Sequence, residues 1–247
     1  MTGGEPELSV SSGRVRAVFR KEILEYRRNR FILATMALVP FGYLIFPLIM
    51  VFAIPAASAS VLHRYQPLLY LVGVAAIAPA SVSSYSVVGE RRQGTLEPLL
   101  TSPIRREDLV AGKFLAAFAP SVAICYLVYG IYLAVVAVFA PGVVAHAVMW
   151  APALVPALVF IPLVAACSVW IGIAVSARCA DPRAAQQLAT FASLVLVLLA
   201  ALVAFDVIHA TLGLGVILAA VLVAADGLGW RLASAILDRE RLIAGVG

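Results

Sequence analysis

The sequence predicts an all-α membrane protein. Six transmembrane helices follow an amphipathic surface helix, and both termini lie in the cytoplasm. Three observations predict this. The chain is 63% hydrophobic and 13% charged, with mean hydropathy +1.03. Soluble domains carry roughly 45–50% apolar and about 25% charged residues. Six apolar segments reach the ~20 residues a spanning helix needs. The Lys and Arg residues fall almost entirely in alternate connections, which orients the spans.

The elements follow in order. Residues 1–13 are polar and glycine-containing and are expected to be a disordered tail. Over 14–30, Val15, Val18, Phe19, Ile23 and Tyr26 recur at helical spacing, with Arg16, Arg20, Lys21, Arg27 and Arg28 elsewhere. This predicts a helix along the inner membrane surface, its basic side toward anionic headgroups. Glu22 intrudes on the apolar face, and a plain solvated basic tail is the alternative. The predicted spans are 31–54, 67–89, 114–140, 147–177, 184–205 and 212–230. The fourth is long and holds Pro152, Pro156 and Pro162, so a kink is expected, with its start in the outer interface. Residues 231–247 form a cytoplasmic tail. No short apolar core before a cleavage site appears near residue 30, so the first span is read as a retained anchor.

With the N-terminus inside, the internal segments 1–30, 90–113, 178–183 and 231–247 hold all the Lys and Arg except Arg64. The pI of about 9.4 thus reflects juxtamembrane blocks, and nucleic acid is not an expected partner. Cys125, Cys167 and Cys179 lack CxxC spacing and read as small buried residues.

No phosphate-cradling GxxxxGK[ST] motif occurs: Phe114 follows the only Gly-Lys pair, Gly112-Lys113. HExxH and GxSxG are also absent. Asp226 is the one acid in the spans, about a turn from an inner end, so a proton-coupled carrier is poorly supported. A membrane body without its own motor needs one elsewhere. The charged island from Glu90 to Lys113 is where a motor would dock. Thr95 is placed to cap a short helix, Pro98 is harmless in its first turn, and Leu96, Leu99 and Leu100 give it an apolar side. Pro103 is placed to start the next helix. An amphipathic loop resting on the membrane fits the same residues.

Glu90, Gly94-Thr95-Leu96-Glu97, Leu99-Leu100, Pro103, Arg106, Leu109 and Gly112-Lys113 resemble the signature between the second and third spans of type-2 ABC transporter permeases. Lys21-Glu22 and the Arg178–Gln187 region are similar to the family as well, though less specific. The resemblance implies a dimer of six-span subunits, as a homodimer or a pair of permeases, driven by two copies of a separate ABC ATPase. ATP and Mg would be bound by that partner, with no cofactor in this chain. It implies that 94–100 forms the coupling helix and 178–183 a second contact. Glu90, Arg106, Lys113, Arg178, Asp181 and Arg183 are then expected in the coupling region. The connection Asp206–Thr211 is short, which departs from members with a large domain there.

The expected function is the permease of an ATP-driven exporter in a bacterial inner membrane, moving an amphipathic, lipid-like or drug-like substrate. A subunit that signals or anchors without transporting is the alternative, and a secondary carrier a further one. Ser84, Tyr126, Tyr129 and Tyr132 are candidates for a substrate path, with helix packing as the competing role. No metal site is expected. His63, His146 and His209 fall in three external connections, an arrangement that would suit a metal or a pH response if the loops met.

Overall fold

The computed structural model describes residues 12–55, 58, 61–64, 67–94, 105–149 and 151–243. Among them there is no strand. The helices are α1 (Ser12–Arg28), α2 (Arg30–Ala53), α3 (Val61–Arg64), α4 (Pro67–Leu71), α5 (Val74–Ser83), α6 (Val88–Gln93), α7 (Arg106–Phe139), α8 (Gly142–Val148), α9 (Ala151–Arg178), α10 (Pro182–Ala204) and α11 (Leu212–Ile243). Six stretches are long and apolar enough to cross a membrane: Ile32–Ala53, Pro67–Arg92, Glu107–Phe139, Leu154–Arg178, Pro182–Ala204 and Leu212–Ile236.

The second crossing is the centre of the bundle. Of its apolar window 89% is buried, against 6% for the sixth. Its middle piece α5 packs against α2, α7, α9 and α10. Small residues make this possible: Ala75, Ala76, Ala80 and Ser83 are fully buried. Lipid tails are as apolar as a core, so helices in a membrane gain by close approach of small side chains. Gly172 on α9 lies so near Ser83 that a methyl group there would collide with the hydroxyl. Ser168 of α9 donates to the Ala76 carbonyl and shares a 3.0 Å hydrogen bond with Ser193 of α10. Toward one end, Trp170 of α9 stacks on Phe114 of α7 at 4.4 Å and meets Trp230 of α11 edge-on at 5.9 Å.

Three features differ from the sequence expectation. The second crossing is not one helix: turns at 72–73 and 84–87 divide it into α4, α5 and α6. The serines explain the second break. Ser81, Ser83 and Ser84 donate to carbonyls of their own helix, at Ile77, Pro79 and Ser81. Such back-bonding competes with the regular ladder. The stretch before the fourth crossing is a separate helix, α8. The last helix runs on to Ile243, through most of what the sequence reading placed in a tail.

α1 is helical from Ser12, and Asn29 separates it from α2. Its stripe Val18–Glu22–Tyr26 is buried, with Val15, Phe19 and Ile23 half-buried beside it. This face packs against α7. The residues 1–11 of the expected tail lie outside the described residues.

Candidate coupling site

The junction of α1, α6 and the start of α7 holds a buried ionic cluster. α7 opens with Glu107 and Asp108 in its first turn, which suits the positive end of a helix. Two turns on, Gly112 faces α1. A methyl group there would lie 2.5 Å from the Val18 Cβ, so glycine is what lets the two helices touch. That contact carries Lys113 inward. Its ammonium, 1% exposed, donates to Glu22 Oε1 at 2.9 Å and to the Ser86 carbonyl at 2.6 Å, and lies 2.7 Å from Glu90 Oε2. Lys21 bridges Glu90 from the other side and also meets Glu25 at 3.1 Å and Glu22 at 3.5 Å. Arg14 reaches Asp108 at 3.7 Å.

A buried charge is costly unless paired and hydrogen-bonded. Burial alone would push the Glu22 carboxyl up, but Lys113 and Lys21 overcome it and hold the group below its ordinary value. Burial likewise opposes the charge on Lys21, yet Glu22, Glu90 and Glu25 outweigh it and raise the ammonium above its ordinary range. The Tyr26 phenol is pushed up by burial and by the same three carboxylates. Glu22, which looked like a flaw in an amphipathic pattern, is therefore the group that ties α1 to α7. The signal was present in the sequence as an acid on an apolar face with a lone Lys at a helix start. Nothing local linked the two, 91 residues apart.

A second set of contacts joins α6 to the turn between α9 and α10. The N–H groups of Val87 and Val88 both donate to the Ser176 hydroxyl at 3.0 Å, which satisfies donors left open where the helix is broken. Arg91 donates to the carbonyls of Ala177 at 3.2 Å and Cys179 at 3.3 Å. Arg92 pairs with Asp181 at 2.7 Å. Asp181 also caps α10, accepting from the N–H groups of Arg183 and Ala184 at 3.1 and 3.2 Å, with Pro182 in the first turn. α6 ends at Gly94, whose φ of 67° is the left-handed conformation glycine adopts freely.

Of the coupling residues read from the sequence, Glu90 and Lys113 sit together in the ionic cluster. Gly94, Asp181 and Arg183 lie at the second junction, and Arg178 ends α9 with its guanidinium on the Ala174 carbonyl. Arg106 is the first residue of α7. Thr95, Leu96, Glu97, Leu99, Leu100 and Pro103 lie outside the described residues. Among the α1 residues, Arg27 and Arg28 are exposed at its end. The partners Ser176, Cys179 and Arg92 were missed by sequence reasoning.

Three of the four path candidates are buried in the bundle and Tyr126 lies toward its surface. Tyr129 and Tyr132 are buried in its main apolar cluster, Ser84 is buried and donates to Ser81, and Tyr126 donates to the Leu158 carbonyl at 2.8 Å. Of the histidines, His209 lies 3.2 Å from Asp206, and His146 is exposed on α8. The His63 side chain lies outside the described residues. Among the described residues no three metal-ligating side chains gather.

A family model described as "ABC-2 family transporter protein" matches residues 16–222. No curated protein sequence matches the chain.

Proposed function

The chain belongs to the ABC-2 family of transporter proteins, and from that premise we propose that it is the permease of an ATP-driven exporter whose motor is a separate ABC ATPase. It is a multi-pass membrane subunit. Two copies of the ATPase bind ATP and Mg, and two permeases pair, as a homodimer or with a related chain. The N-terminus faces the cytoplasm of a bacterial cell, because basic residues are retained on that side. The α1–α6–α7 end of the bundle is then the cytoplasmic end.

The observation that carries this reading is the convergence of two loops at that end. Residues 90–94, the described start of the loop expected to meet the ATPase, are anchored to the second expected contact, 178–183, through Arg91, Arg92 and Asp181. The first is anchored again to α1 through Glu90 and Lys113. Movement of a docked ATPase against 94–100 reaches α5, the centre of the bundle, through α6. Buried Glu90 and Lys113 serve by holding these elements together, and Leu96, Leu99 and Leu100 make the contact. The cargo is amphipathic, lipid-like or drug-like.

The experiment is Leu99→Asp in the purified complex. A charge placed against an apolar groove costs a few kcal/mol. Co-purification of the ATPase and its stimulation by the permease should both fall. Normal values for both would remove 94–100 as the contact.

A further inference from the structure

A cleft of about 580 Å³ opens beside the ionic cluster, between the end of α1, the start of α2 and α6. The volume is that of a small-molecule pocket. Its lining carries both signs of charge. Glu22, Glu25 and Glu90 line it together with the Tyr26 side chain, and so do Arg28 and Arg30, which are exposed. The Tyr26 hydroxyl is buried beside the Glu22 carboxylate, which is already engaged by Lys113 and Lys21. Glu25 is 36% exposed, and its ion-pair partner Lys21 is shared with Glu22 and Glu90. A buried hydroxyl and a shared carboxylate offer hydrogen bonds to something more.

The cleft lies where the apolar part of the first crossing begins, at Ile32, which lines it. That is headgroup depth for a bilayer around these spans. A ligand that fits has a cation able to donate hydrogen bonds, held a few ångströms from an anion. We propose that this cleft binds the headgroup of an ethanolamine phospholipid, as a resident lipid distinct from the cargo. The primary ammonium donates to Glu25. The phosphodiester lies against Arg28 and Arg30 and accepts from Tyr26. Guanidinium groups suit phosphate, and charge-assisted bonds are the strong ones. A choline headgroup has no N–H to donate and an anionic glycerol headgroup has no cation, so neither satisfies Glu25. The proposal rests on the cytoplasmic end meeting the lipid, and is independent of the cargo and of the ATPase contact.

The test is native mass spectrometry of the full chain taken from vesicles of equal parts phosphatidylethanolamine, phosphatidylcholine and phosphatidylglycerol. Ethanolamine lipid should be retained over choline lipid by about tenfold, the factor of one charge-assisted hydrogen bond. Glu25→Gln, a half-exposed and nearly isosteric change, should bring that ratio close to one. Arg28→Gln with Arg30→Gln should lower retention of both phospholipids. Equal retention of the two lipids by the parent protein, or a preference untouched by Glu25→Gln, would overturn the proposal. So would loss of the ATPase from the Glu25→Gln complex with no lipid preference in the parent, which would give the cleft to a protein contact. Competition with soluble glycerophosphoethanolamine separates the sources. Displacement of the lipid shows that the headgroup alone is read, and retention shows that the acyl chains hold it in place, the site standing in either case.

Discussion

Lys113 and Glu22 meet at 2.9 Å inside the protein, one two turns into α7, the other on the N-terminal helix. Both are almost fully buried, and the lysine reaches Glu90 at the same time. The contact makes the N-terminal helix part of the same unit as the loop.

Lys113→Met removes the buried cation from two buried carboxylates and leaves them only the half-exposed Lys21. Breaking a buried pair in this way destabilises by about 3–5 kcal/mol. A lower melting temperature and yield in detergent are expected. Glu22→Gln combined with Lys113→Met should recover part of the loss, and an additive double variant would show that the pair is not coupled.

The pH dependence follows from the directions of the shifts. Glu22 is held below its ordinary 4.5, so its stabilisation is present above that pH and is lost as pH falls through the folded value. Lys21 is held above its ordinary 10.5, so its contribution is full below that pH and lost only at greater alkalinity. Stability attributable to these two groups should form a plateau from about pH 4.5 to pH 10.5. Melting measured between pH 3 and pH 8 should show an acid loss that Glu22→Gln reduces. The same acid transition in parent and variant would assign it to other carboxylates.

Gly112→Val should displace α1, because even the first added carbon falls 2.5 Å from Val18 Cβ. Overpacking of this kind costs about 1–3 kcal/mol. Adding Val18→Ala should relieve it. Protease sensitivity of the segment before Arg30 is the readout, and an unchanged pattern in Gly112→Val would count against the close contact.

Arg92 and Asp181 are both substantially exposed, so the 2.7 Å pair contributes less than about 1 kcal/mol. Arg92→Asp should barely change melting. If the two loops act together, permease-stimulated ATPase activity should nonetheless drop and recover in the Arg92→Asp, Asp181→Arg double variant. Unchanged stimulation in the single variant would separate this junction from coupling.

Topology is tested by labelling. Ala57→Cys should react with an impermeant thiol reagent in intact cells, and Gln93→Cys and Asp181→Cys should not, in a background without the native cysteines. Reaction at Gln93→Cys would reverse the orientation drawn from the basic residues.

The six crossings were legible because each is a long apolar run, and length with hydropathy decides that question with little help from tertiary contacts. Gly94 and Gly112-Lys113 were legible only as parts of a pattern. Their reasons, a left-handed helix end and a seat for Val18, depend on a backbone angle and on a partner far along the chain. The break in the second crossing was hidden. Four serines in an apolar run look like packing residues, and the back-bonding of three of them, Ser81, Ser83 and Ser84, becomes visible only with the carbonyls they meet. Glu22 was hidden for the same reason as Ser176: a charge or hydroxyl on one helix is explained by a group on another.

The Ser176 hydroxyl accepts two N–H groups at the interruption between α5 and α6. An unwound stretch inside a crossing would ordinarily be free to bend. Here its open donors are held by α9, so bending α6 relative to α9 would first strip two donors of their acceptor in a place with no water to replace it. The interruption is thus a splice between two crossings. A load applied at Asp181 and one applied at Gly94 therefore arrive on the same short helix, which Ser176 and Asp181 both hold.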